Sequence, residues 1–372
     1  MYSYRVASYT ETGNNEASSG WVTGCTQPAP LGGQAFQAEW VSLPAAPWAQ
    51  PEGQGHWLLW PVSVGAQSYG VVDWSPAGAT EKALLWGYPS PSTPPVVLDA
   101  SSQPHVAYVD SSFQLVHGWR SASGWQTEVV AQDADRITSL GYEGLPFLVG
   151  PDGSLSLCFA RRGTGKACEA VRGAAGWTVA EDPHLARLSG FALDPSGALW
   201  GVECGWAGPE VPRPLILWSR GGDGAWSSRP VPGDGTLSQV AFAMGPDGAA
   251  HLVFVKAADA AGGQGLVHIA QQGPGWSQPE YLTSESPDPN RPQYLTLPSQ
   301  DGRPFFSAEF QEGTVLFTRD EAGAWSRSTL LPSNAFPAFF IQGRAADGRL
   351  FLVVWPSTGL LTGAAVFTQP RP

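Results

Sequence analysis

Residues 242–283 read FAMGPDGAAHLVFVKAADAAGGQGLVHIAQQGPGWSQPEYLT. An apolar run, a Pro-Asp-Gly turn and a second apolar run open the stretch. Asp-Gly between apolar runs is a strong short-range hairpin signal, because glycine takes the positive φ that a tight turn requires. A third apolar run follows at 265–271, and a Gly-Trp motif at Trp276 opens a fourth. The stretch predicts four short antiparallel strands in about 50 residues.

The same order recurs along the chain, and a fixed period is the signature of a repeat-built fold. Gly-Trp or Gly-Ala-Trp occurs at Trp21, Trp125, Trp177, Trp226, Trp276 and Trp325, the last five spaced 52, 49, 50 and 49 residues apart. The first interval, 104 residues, is two periods, and KALLWGY (82–88) is the degenerate copy expected inside it. Upstream hairpins read FLVGPDGSLSLCFA (147–160), FALDPSGALWGVEC (191–204), LPSQDGRPFFSAEF (297–310) and GRAADGRLFLVVW (343–355).

Four strands per unit and nothing helical between them predict an all-β fold, a seven-bladed β-propeller of four-stranded antiparallel blades. A pair of β-sandwiches would show turns every 8 to 12 residues or so without the long period. The expected blades are 35–92, 93–134, 135–183, 184–234, 235–285, 286–334, and 335–372 closed with 1–25 by pairing of N- and C-terminal strands. Residues 2–9 and 363–370 compete for one place in that closing blade.

The chain has 372 residues, with 45 Gly, 34 Pro and 17 Trp, and a formal net charge of −12. Of its 20 basic residues only Lys82, Lys166 and Lys256 are lysines, and no long basic tract occurs. Nucleic-acid binding and attraction to anionic membranes both need a concentrated positive surface, so both are disfavoured. No apolar run approaches the roughly 18 to 20 residues that cross a bilayer, so no membrane insertion is expected. The first residues lack the basic and apolar regions of a secretory signal. The Trp- and Pro-rich, Lys-poor composition nevertheless points to an extracytoplasmic or secreted protein whose signal is absent from this sequence, with the cytoplasm as the alternative.

Cys158 and Cys168 flank the turn Arg161-Arg162-Gly163-Thr164-Gly165-Lys166 symmetrically about Gly163. As opposed hairpin residues they would suit a disulfide, and as two small core hydrophobes they would suit none. Cys25 and Cys204 fall too far apart in the repeat to bridge, and no Cys or His spacing suggests a metal. No cofactor is expected. The turn lacks the full Gly-x4-Gly-Lys-Ser/Thr phosphate-loop pattern and joins strands rather than a strand and a helix.

His105 and His251 open second strands, while His117 and His268 lie in third strands, which favours structural roles. His184 is the exception, in the blade-to-blade loop Glu181-Asp182-Pro183-His184. The repeated tryptophans could stack on sugars, but one per unit at a fixed strand position is better read as a wedge between blades.

This repeat resembles Trp-rich bacterial β-propellers of the kind found in lectins and in BNR-type (sialidase-like) repeat proteins. The resemblance implies the scaffold and no residue roles, since the sialidase box Ser-x-Asp-x-Gly-x-Thr-Trp and the Trp-Asp repeat signature are both absent. By analogy with propellers, ligands meet the end formed by the fourth-to-first and second-to-third strand loops. Asp133, Asp135, Arg136, Asp182, His184, Trp206, Glu210, Asp259, Glu285, Asp288 and Arg291 fall there, with Arg161 and Arg162. Loops 205–214 and 257–265 are long, and Trp206 stands outside the repeated positions, so packing does not require it.

The expected function is a non-catalytic binding module that recognises a glycan or a partner protein through this loop face. The alternative is a glycan-acting enzyme. A lyase would pair His184 or a Tyr with Arg136 or Arg291, and a hydrolase would draw two carboxylates from Asp133, Asp135, Asp182, Glu210 and Glu285.

Overall fold

A computed structural model describes the chain chiefly between residues 96 and 332, apart from 100–103, 111, 122, 137–146, 205–212, 257–264, 288–292, 297–302 and 321. Within 1–95 and 333–372 it describes backbone strands alone. Apart from one 3-10 turn, Leu185–Arg187, the described elements are strands, and every pairing is antiparallel.

The four-stranded unit appears as the sequence predicts. Val96–Leu98, Pro104–Val109, Leu115–Ser121 and Gly124–Ala131 pair in chain order, as do Gln293–Thr296, Phe305–Phe310, Gly313–Arg319 and Trp325–Pro332. In the unit between 134 and 181 the first strand is split, Ala134–Arg136 and Phe147–Val149 pairing with different parts of Leu155–Arg161. The expected boundary at 234/235 falls inside one strand, Trp226–Met244, which pairs first with Arg213–Arg220 and then with Ala250–Lys256. It joins two units into an eight-stranded sheet.

Middle strands are buried along their whole length, as in Ala250–Lys256 and Phe305–Phe310. Fourth strands such as Gly176–Glu181 are partly exposed. Continuous burial arises because both faces of a middle strand meet a neighbouring sheet. Val97, Ala107 and Leu115 share one apolar cluster with Phe147, Leu157 and Ala170 of the next unit. Val253 and Leu266 share another with Phe306 and Phe317. First strands also abut in succession: Val96–Leu98 beside Phe147–Val149, that strand beside Leu188–Leu193, and Ala338–Arg344 beside Trp48–Pro51.

Two expectations need correction. Residues 1–25 do not complete the C-terminal sheet. Ala338–Arg344, Leu350–Pro356 and Gly363–Thr368 are joined there by Gln37–Ser42, while the described strands within 1–25 pair with one another. Gly363–Thr368 is thus the third strand, and the following sheet begins at Trp48–Pro51 rather than at 35. Gln37–Ser42, whose Trp40 follows Glu39 rather than Gly, reaches this sheet from the other end of the chain.

The second correction concerns the cysteines. Cys158 stands opposite Glu169, and Cys168 opposite Phe159. Ala160 pairs with Ala167, which centres the hairpin between Gly163 and Thr164 and offsets the thiols by one residue. One residue of offset sends side chains to opposite faces. Cys168 packs with Phe147 and Leu157, Cys158 packs with Leu185 and Leu188, and both are free thiols.

Close packing makes Gly201 a sensitive position. A Cβ there would overlap Leu188 Cδ1 and lie 3.0 Å from the Gly190 carbonyl oxygen. Gly201→Ala is expected to lower stability by about 1 to 3 kcal/mol through overpacking. Urea unfolding tests this, and an unchanged midpoint would contradict the packing described.

Candidate functional site

Each repeated Trp whose side chain is described reaches back to the preceding unit. Trp177 Nε1 donates to Glu128 Oε1 at 2.8 Å, Trp226 Nε1 to Asp182 Oδ2 at 2.7 Å, and Trp325 Nε1 to Glu280 Oε2 at 3.0 Å. Trp276 Nε1 donates to the Pro230 carbonyl at 3.3 Å. All four acceptors lie in or just after a fourth strand. The indole bodies pack into the shared apolar clusters, so they wedge unit against unit, as the sequence reading favoured.

An arginine opposite the Trp joins the same acceptor. Arg172 pairs with Trp177 across the hairpin and donates Nε–H to Glu128 at 2.9 Å. Arg319 pairs with Trp325 and donates to Glu280. Arg220 pairs with Trp226 and grips both oxygens of buried Glu169, with Asp182 Oδ2 3.7 Å away.

Two junctions carry a histidine pair behind the acid. His105 Nδ1 lies 2.9 Å from His117 Nε2, and His117 Nδ1 lies 3.0 Å from Glu128 Oε1. The second copy has His251 Nδ1 3.0 Å from His268 Nε2, and His268 Nδ1 2.9 Å from Glu280 Oε2. With the carboxylate ionised, the nearer ring donates through Nδ1 and accepts at Nε2 from the farther ring. Asp99 Oδ2 lies 3.4 Å from His105 Nε2. In the unit that follows the first pair Ser156 and Glu169 occupy these two places, joined by a 2.7 Å hydrogen bond.

Burial sets the charge state of these rings. Desolvation lowers His117 from 6.5 to about 4 against the opposing pull of Glu128, and lowers His251 to about 4 with repulsion from His268 adding to it. Burial alone would raise Glu128 and Glu280, but hydrogen bonds from the histidine and the indole, with the nearby arginine, hold both below the usual carboxylate range. His117 and His251 are therefore neutral rings beside anionic anchors, an arrangement suited to holding structure. The sequence signal was a His in the second strand, a His in the third and a Glu in the fourth. All three lie on adjacent strands of one unit, His117 directly opposite Glu128 and His268 opposite Glu280, and only the indole and the arginine arrive from the next unit.

Several expected site residues are accounted for by the same contacts. Asp182 is taken up by Trp226, and its Oδ1 accepts from the His184 backbone N–H at 2.9 Å and lies 3.2 Å from His184 Nδ1. The His184 ring stacks on Trp226 and leans on Trp218, with centroids 5.5 and 5.4 Å away. Glu285 pairs with Arg327, which also holds Glu312. Asp133 and Asp135 are exposed at the loop end. For Arg136 only the backbone strand is described, and Trp206, Glu210, Asp259, Asp288 and Arg291 lie outside the described residues. Among the described residues no group of three or more His, Cys, Asp or Glu is placed to hold a metal.

These sheets, stacked face to face in chain order, define an all-β chain of propeller type, and solved structures agree on the fold. The chain is similar to virginiamycin B lyase from Staphylococcus aureus, with 12% identity over 90% of this chain and 99% of that one and a TM-score of 0.56. It is similar to the β-propeller domain of the Trilobed protease from Pyrococcus furiosus, with 8% identity over 88% and 96% of the two chains and a TM-score of 0.54. It also resembles the polysaccharide lyase Uly1, with 10% identity over 88% and 90% and a TM-score of 0.52. No protein-family model matches the sequence, and no curated protein matches it.

The histidine pairs give stability a pH dependence of definite sign. Both His117 and His251 take up protons more readily unfolded, near 6.5, than folded, near 4. Their contribution is full above about pH 6.5 and is lost progressively toward about pH 4, by up to about 3 kcal/mol per ring. Denaturant midpoints measured from pH 7.5 to 4 are expected to fall over that interval. A flat profile would contradict neutral buried rings.

Proposed function

We propose that the chain is a seven-bladed propeller acting as a non-catalytic binding module, which recognises a glycan or a partner protein through its loop end. The succession of abutting first strands, returning from Ala338–Arg344 to Trp48–Pro51, supports the closed ring. One observation carries the functional reading. The facing histidines, acids, arginines and repeated tryptophans that have the chemistry for catalysis are taken up in contacts within and between units. Their neutral or hydrogen-bonded states suit a rigid support, and loops on a rigid support are where recognition resides.

Binding of the purified, labelled protein to a broad glycan array tests the reading, with Trp206→Ala alongside. Selective retention without release of cleaved sugar is expected, weakened several-fold in Trp206→Ala through loss of an indole platform. Depolymerisation of a bound glycan would overturn the non-catalytic reading. Array silence from a folded sample would leave the partner-protein arm and remove the glycan one.

A further inference from the structure

Three loops from two neighbouring units meet at the end away from the Asp-Gly turns. They are the turn 110–114, the exit segment 132–134 and the turn 161–166. Phe113 at φ 61° and Asp133 at φ 59° are the two non-glycine residues with positive φ among the described residues, and both lie here. Ala134 N–H donates to the Phe113 carbonyl at 2.8 Å, and Arg162 N–H donates to the Asp133 carbonyl at 2.5 Å. Each such conformation costs on the order of 1 kcal/mol or more and persists where surrounding structure imposes it, often at ligand clamps.

Charge is concentrated at the same point. Arg161, Arg162 and Lys166 bring three cations into six residues of a chain whose net charge is −12. Lys166 pairs with Glu181 at 2.7 Å, and Arg161 Nε lies 3.8 Å from Glu181 and has no hydrogen-bond partner. Arg162 differs from both. Its side chain is exposed, its guanidinium carbon lies 3.3 Å from the Phe113 ring centroid, and it pairs with no carboxylate among the described residues. Stacking on one face leaves the edge N–H groups in a fixed fork, the geometry that receives a carboxylate. Exposed Asp133, Asp135, Gln132 and Thr164 accompany it on the same loops.

Resting on the binding-module reading above, we propose that this cluster is a subsite for a uronate-containing glycan. Arg162 takes the sugar carboxylate, and the neighbouring carboxylate, amide and hydroxyl side chains accept from or donate to ring hydroxyls. Mixed charge selects this class. An acidic peptide offers Asp133, Asp135 and Glu181 no side-chain donors to offset their repulsion, whereas each uronate carboxylate is flanked by ring hydroxyls that donate to carboxylates.

Titration calorimetry with galacturonate, glucuronate-containing and mannuronate tetrasaccharides, each as free acid and as methyl ester, tests the proposal on wild type and Arg162→Gln. The ester removes the charge and keeps the hydroxyls. Wild type is expected to bind at least one free acid about tenfold or more tightly than its ester. Arg162→Gln, which removes the exposed stack on Phe113 and leaves the indole contacts between units intact, is expected to abolish that preference in a protein that still unfolds cooperatively. Equal binding of acid and ester, or an unchanged preference in Arg162→Gln, would overturn the subsite while the glycan reading stands. Binding of neutral glycans alone on the array would do the same. No binding to any glycan would overturn both.

Discussion

The hydrogen bond from a tryptophan indole N–H to the fourth strand of the preceding unit is the interaction on which the remaining architecture depends. Sheets stacked face to face gain most of their stability from apolar burial, which is large but non-directional. Such faces can slide. The indole supplies both terms at once, since its body enters the shared cluster while Nε1 fixes its position on Glu128, Asp182, Glu280 or the Pro230 carbonyl. A buried indole N–H left without an acceptor would cost about 1 to 3 kcal/mol, so stacking in any other register is penalised.

The acceptor slot is constant, whereas its chemistry changes around the chain. Two junctions use a His-His-Glu chain, one uses Glu169 with Arg220 and Asp182, and one uses a bare carbonyl. Geometry is what the repeat preserves. Polar variety is tolerated because each version satisfies the same donors. The histidine versions add a sensitivity to acid that the carbonyl version lacks.

Sequence made the unit legible because two of its devices are local. Asp-Gly turns and the Gly one or two places before each Trp announce hairpins within a few residues, and burial of middle strands on both faces leaves continuous apolar runs such as 252–255. What it hid was non-local or depended on register. A half-residue change in the hairpin centre at 163–164 separates Cys158 from Cys168, and strand 37–42 finds its partner at the opposite end of the chain. The clamps were hidden for a third reason, because Trp177 finds Glu128 49 residues away and Trp325 finds Glu280 45 residues away. At the loop end the candidates were named, but the placing of Arg162 on Phe113 was beyond pattern reading, since it joins loops of two units.

The two ends of the units thus divide labour. His105 and His251 stand second in the strands that leave the first-to-second turns, where polar groups serve cohesion, while the opposite end carries exposed charge held by strained loops. Cohesion through directed indole bonds is the central claim, and a double-mutant cycle across one junction tests it most directly. Unfolding free energies of wild type, Glu280→Ala, Trp325→Phe and the double variant isolate the pairwise term. A favourable coupling of about 1 to 3 kcal/mol is predicted for a hydrogen bond to a charged acceptor. Strict additivity of the two substitutions would contradict it, and would leave apolar packing alone to hold the units in register.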